Sequence, residues 1–166
     1  MAGLLSALPG APGPAVADPV RSAPFGTRAA EPAQQPAPAA AVTWRPLLEK
    51  LLARRSRAYA TGELSRLGTV HQPGSPVLAA DRAMLRAWLR RDLTVTSTVR
   101  LIRVRLVARG HGRAVLRTVD VLHRAVAVGA DGSRLRLPHD QPTARRVVLV
   151  RTDRGWRIGA VQALTG

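Results

Sequence analysis

A chain of 166 residues with a low-complexity start leaves about 120 residues to fold, enough for one ordinary hydrophobic core and too few for two. The absence of cysteine excludes disulfides, thiolate zinc sites and cysteine catalysis, while the redox compartment stays open. The net charge of +16 lies wholly beyond residue 43, because Arg21 and Arg28 are matched by Asp18 and Glu31 before it. Lys50 is the sole lysine among 26 basic residues. Part of the basicity is therefore expected to reflect arginine-rich coding in a GC-rich genome, and it is discounted as a nucleic-acid signal.

Residues 1–43 hold 13 Ala, 8 Pro and 4 Gly with no hydrophobic period, a composition that cannot bury enough surface to offset chain entropy. They are expected to be a disordered Ala/Pro-rich tail or linker. Met1 to Leu8 has neither the basic start nor the apolar stretch of a secretory signal, and no run approaches a membrane span. The chain is therefore expected to be soluble as written, cytoplasmic, or in the cell envelope if an upstream signal or anchor precedes it. A membrane role would require a segment absent from this chain.

The ordered domain is expected over 44–166, with Thr43 as N-cap and Pro46 in the first turn of a helix. Leu47, Leu48, Leu51, Leu52, Ala58 and Tyr59 form its apolar stripe, and Gly62 ends it. A short second helix from Glu63 to about Val70 would bury Leu64 and Leu67, and His71 to Gly74 is turn chemistry. Ser75 and Pro76 open a third helix to about Arg91 whose stripe is Leu78, Leu85, Trp88 and Leu89.

From Leu93 the period changes to two, with β-branched residues, and the remainder reads as about five antiparallel strands. Gly110 to Gly112 turns the first hairpin. Pairing Arg109 with Arg113 sets Ile102 opposite Asp120, Val104 opposite Thr118 and Leu106 opposite Leu116 on an inner face. The outer face then carries Arg103, Arg105, Arg109, Arg113 and Arg117. Asp131-Gly132 and Asp153 to Gly155 mark two further turns, the second between strands 144–152 and 156–164. Val148, Val150, Ile158 and Ala160 are expected to share an inner face with Trp156.

The stretches RAYATGELSRL (57–67), GSPVLAADRAMLRAWL (74–89), LRTVDVLHR (116–124) and VVLVRTDRGWRIGAV (147–161) resemble the nuclear transport factor 2-like, or SnoaL-like, superfamily. They resemble most a divergent actinobacterial group of uncharacterised domains. The resemblance covers 44–164 and implies an α+β cone, cystatin-like, with a curved sheet wrapped against helices and a pocket at the wide end. It implies no particular chemistry, because the superfamily mixes enzymes with transport and accessory domains.

Asp120 would stand on the inner face beside Ile102, where desolvation would make it a candidate acid or base, and Tyr59 is the available partner. Residues Tyr59, Trp88, Ile102, Val104, Thr118 and Asp120 are expected to line the pocket. His71, His111, His123 and His139 lack metal-ligand spacing, no cofactor motif occurs, and neither metal nor cofactor is expected. The arginine face could meet phosphates, but strands 93–129 carry no aromatic for base stacking, so nucleic acid is not the expected partner. The leading expectation is a non-catalytic binding or accessory domain for a partner protein or a small apolar ligand, with a homodimer through the sheet as a further mode of assembly. Two alternatives stand beside it: an isomerase, dehydratase or cyclase using Asp120, and sequence-blind contact with polyanions or anionic lipid.

Overall fold

The computed structural model describes residues 42–138 and 140–164. Residues 1–41 of the expected tail and His139 lie outside the described residues. Helix α1 spans Trp44–Thr61, a 3-10 turn follows at Leu64–Thr69, and α2 spans Pro76–Leu89. Five strands come after: β1 Leu93–Gly110, β2 Arg113–Gly129, β3 Arg134–Arg136, β4 Thr143–Thr152 and β5 Gly155–Ala163. This is the helices-then-curved-sheet α+β class expected from the sequence. No helix among the described residues is long and apolar enough to cross a membrane.

Local chemistry accounts for the helix ends. The Ser75 side chain accepts from the Leu78 amide with Pro76 at the first helical position, so α2 begins where the sequence says it should. Thr43 stands at the N-cap of α1 but makes no side-chain cap bond. Gly62 closes α1 in the left-handed region with φ of 70°, its amide bonded near the last turn. The short second helix is tighter than expected, a 3-10 segment, and still buries Leu67 completely.

The sheet order is β1-β2-β4-β5, all antiparallel, and β3 pairs with the far half of β2. One end of β2 pairs with β4 over Arg113–Asp120. Three register shifts in β1, at Thr96/Thr98, Leu101/Arg103 and Leu106/Ala108, bend the long β1–β2 hairpin. They hold the expected pairing in the middle, with Val104 opposite Thr118 and Leu106 opposite Leu116, and change it at both ends. Leu101, not Ile102, stands opposite Asp120, and Ile102 is 46% exposed. Arg109 pairs with Ala114 rather than Arg113. Since Ala114 belongs to the core, Arg109 crosses to the helix side, where its guanidinium lies 5.8 Å from the Trp44 ring.

A similar one-residue slip corrects the last hairpin. Val147 and Leu149 face the core, with Leu149 opposite Ile158, while Val148 opposes Ala160 across a shift between Val148 and Leu149. The expectation that Val148 and Val150 share the inner face fails because both strands there are apolar on both faces, so alternation alone sets no phase. Trp156 does reach the core, edge-on to Trp44 at 5.2 Å.

Two packed clusters result. One joins Leu48 and Leu51 of α1 to Leu101, Leu116, Val147, Leu149 and Ile158 of the sheet. The other joins Ala58, Tyr59, Leu67, Leu78, Leu85 and Val95, with Trp88 and Leu89 against it. Gly62 is tied to this second cluster, because a Cβ there would come within 2.9 Å of Leu89 Cδ2. We expect Gly62→Ala to destabilise the fold by about 1–2 kcal/mol, from the left-handed backbone alone and more if Leu89 cannot shift. Denaturant unfolding followed by circular dichroism measures it.

Candidate functional site

Between α1, α2 and the inner face of the sheet lies a cavity of about 360 Å³. Its apolar wall comes from Leu48 and Leu52 of α1, Val77 and Met84 of α2, and Val99, Leu101, Leu122, Val147, Ile158 and Val161 of the sheet. Its polar wall comes from Arg55, His71, Asp81, Thr118, Asp120, Asp140 and Arg145.

Asp81 is the centre of the polar wall and is 6% exposed. Its Oδ2 accepts from Arg55 Nε at 2.7 Å and from His71 Nε2 at 2.7 Å. Its Oδ1 accepts from the Tyr59 hydroxyl at 2.7 Å and from Arg55 Nη2. Arg55 and Tyr59 stand one turn apart on α1, and the guanidinium also lies 4.7 Å from the Tyr59 ring centroid. Four donors on two oxygens leave this carboxylate saturated.

Burial by itself would raise the Asp81 pKa, but the hydrogen bonds from His71 and Arg55, the Arg55 charge and the Tyr59 hydroxyl outweigh it and hold the group well below the usual carboxylate range. Burial chiefly pushes the Tyr59 phenol up, with Asp81 adding to the effect and Arg55 opposing it. Tyr59 is therefore a neutral donor at physiological pH. Because ionised Asp81 can only accept, the proton of His71 is assigned to Nε2. His71 Nδ1 is buried and has no hydrogen-bond partner among the described residues.

A second pair lies across the cavity on the sheet. Arg145 Nε donates to Asp120 Oδ1 at 3.0 Å, and the Thr118 hydroxyl donates to Oδ2 at 3.3 Å. Thr118 pairs with Arg145 and Asp120 with Thr143 across β2 and β4, which sets Asp120 and Arg145 on the same face.

Of the six residues expected to line the pocket, Thr118 and Asp120 do. Tyr59 lies behind Asp81, Trp88 packs into the second core cluster, Val104 packs against the first, and Ile102 turns outward at the β1 bulge. Tyr59 and Asp120, paired in the sequence reading as candidate acid and base, belong to separate networks on different walls. Asp120 is not a lone desolvated carboxyl, because Arg145 partners it.

The sequence reading missed Arg55, His71, Asp81 and Arg145. A signal for two of them was present. Asp81 falls at i+3 from Leu78 and i−4 from Leu85, and Arg55 at i+4 from Leu51 and i−4 from Tyr59, so both are charged residues set within apolar stripes. Such positions require a buried partner, and each is the other's.

No family model matches the chain, and no curated protein matches it in sequence. Solved structures match it in fold. The intermembrane space region of the chloroplast protein ARC6 aligns at a TM-score of 0.52 and 13% identity, over 73% of this chain and 96% of that one. An NTF2-like protein with a cystatin-like fold from Novosphingobium aromaticivorans aligns at a TM-score of 0.43 and 19% identity, over 72% and 79% of the two chains. The protein Kfla4162 from Kribbella flavida aligns at 0.48 and 18% identity, over 72% and 88%. At these identities the likeness concerns fold alone.

Removing the Asp81 charge strands Arg55 and His71, so Asp81→Asn should cost about 3 kcal/mol at neutral pH. The folded carboxyl titrates below its ordinary value of 3.8, so the unfolded state takes up the proton first as pH falls. The stabilisation is therefore complete above about pH 5 and drains away through pH 4 and below, and the gap between wild type and Asp81→Asn narrows over that window. Urea unfolding of both proteins at stepped pH measures the gap.

Proposed function

We propose that this domain is a non-catalytic binding module that takes a small apolar ligand into the cavity between its helices and sheet. The observation that carries the reading is an apolar cavity of about 360 Å³ whose two central carboxylates, Asp81 and Asp120, are each already paired with an arginine. The volume lies at the small end of the range for ligand pockets, and the apolar wall with a few polar groups matches their usual composition.

The pairing disqualifies the two carboxylates as free bases, and it does not extend to His71 Nδ1, which is buried and unpartnered among the described residues. A general base needs a carboxylate or imidazole whose pKa lies near the working pH and whose lone pair is free to reach substrate. Asp81 is held far from that range and saturated by its donors. Asp120 spends one oxygen on Arg145 and the other on Thr118. The isomerase, dehydratase or cyclase alternative that rested on Asp120 thereby loses its proposed base. An accessory role suits the comparison with ARC6, in which a domain of this fold is one region of a larger protein.

The test is a titration of the full-length chain with small monocyclic and bicyclic apolar molecules such as indole and naphthol, followed by NMR. Shifts should concentrate at Met84, Val99 and Leu122. Val99→Trp, which places an indole in the cavity from a half-buried position, should abolish them while the protein keeps its unfolding free energy to within about 1 kcal/mol. Shifts spread over the surface, or unchanged in Val99→Trp, contradict the reading. Chemical turnover of a bound molecule that Asp120→Asn abolishes would restore the enzyme alternative.

A further inference from the structure

We infer that the free edge of β1 takes an extended acidic segment of a partner protein as an added strand. This is independent of the cavity and of what fills it. Among the described residues β1 is an outermost strand of the sheet, with β2 on one side and no strand on the other. An edge of this kind presents unpaired amide and carbonyl groups at every second residue, which an extended peptide can satisfy.

Two features of the segment from Ile102 to Gly110 specify the occupant. Ile102, Leu106 and Val107 are 46, 39 and 61% exposed, three aliphatic side chains clustered on one stretch of strand. Interleaved with them are Arg103 and Arg105, and none of the salt bridges among the described residues involves either. Arginine on an edge guards against pairing with a copy of the same strand, but protection does not require aliphatic exposure beside it. Aliphatic contact with flanking positive charge fits a strand that alternates apolar and acidic side chains.

Charge disposes of the competing occupants within this chain. A second copy paired through β1 would set its own arginines against Arg103 and Arg105. The segment before residue 43 carries Arg21 and Arg28 against Asp18 and Glu31, so it brings no net negative charge. Behind the edge, Arg105 stands directly opposite Arg117, and Arg117 opposite Arg146. Three like charges in register across three strands repel one another, and an acidic strand laid beside Arg105 relieves that repulsion. At the other end of the segment, Arg45 donates to the carbonyls of Leu101 and Ile102 at 2.9 and 3.2 Å. The open stretch therefore begins after the bulge.

The experiment uses the full-length chain and two fluorescent peptides of equal length and charge, one repeating Glu-Val and the other Glu-Pro. Both offer the same carboxylates, but proline removes alternate amide donors and cannot complete a ladder. We expect the Glu-Val peptide to bind at low ionic strength, the Glu-Pro peptide to bind at least about tenfold more weakly, and Arg103→Glu/Arg105→Glu to lose the Glu-Val peptide by at least about tenfold. Both substitutions lie at exposed positions, and the two-peptide comparison on the unsubstituted chain stands even if that variant folds poorly. Equal binding of the two peptides would overturn the inference, because charge alone would then suffice. So would absence of binding, dimerisation of the chain at the concentrations used, or tighter retention on single-stranded DNA or phosphatidylserine vesicles than on the Glu-Val peptide.

Discussion

The arrangement of the helices over the sheet depends on one buried carboxylate. Asp81 of α2 is bound by Arg55 and Tyr59 of α1 and by His71 from the connection between the 3-10 turn and α2. An unpaired charge at that depth would be prohibitive, so once α2 carries Asp81 inward the other three groups must converge on it. Hydrophobic burial is non-directional and would allow α2 to slide over its neighbours, whereas four hydrogen bonds on two oxygens specify one position. His71 extends the constraint to the sheet, because its backbone forms a bridge with Ile158 of β5 and the Ile158 amide bonds to Val70. The helix layer is thus pinned at one wall of the cavity, and the space between helices and sheet stays open rather than collapsing.

The same constraint bears on function. Polar groups around a cavity invite a catalytic reading, and here they are largely engaged with one another. Arg55 and Arg145 neutralise the two central carboxylates from opposite sides, leaving Asp140 as the one cavity-wall carboxylate outside an ion pair among the described residues, while the chain as a whole carries a net charge of +16. The two proposals rest on different regions. The cavity is proposed to take an uncharged ligand, and the β1 edge an acidic segment.

Much of the fold was legible in the sequence because its signals were local. Ser75-Pro76 placed the start of α2, Gly62 the end of α1, and the change of period at Leu93 the beginning of the sheet. The middle of the β1–β2 register was legible for the same reason, since Val104, Thr118, Leu106 and Leu116 alternate cleanly with arginines. What alternation could not reveal was the bulges. Each inserts one residue and moves every side chain beyond it to the other face, which is how Ile102 left the pocket and Arg109 left the basic face. The site was harder still. Arg55, His71 and Asp81 are separated by up to 26 residues, and nothing in the spacing of α1 and α2 states their rotation about each other. The one usable sign was a charge at a core position on each helix.

A double-mutant cycle on Arg55 and Asp81 tests the central claim most directly, with Arg55→Met, Asp81→Leu and the combination unfolded in urea at pH 7. If Asp81 is the pin, each single variant loses several kcal/mol and the pair loses much less than the sum, giving a coupling of more than about 1 kcal/mol. Additive losses would mean that the two residues act independently and that apolar packing alone sets the helices over the sheet.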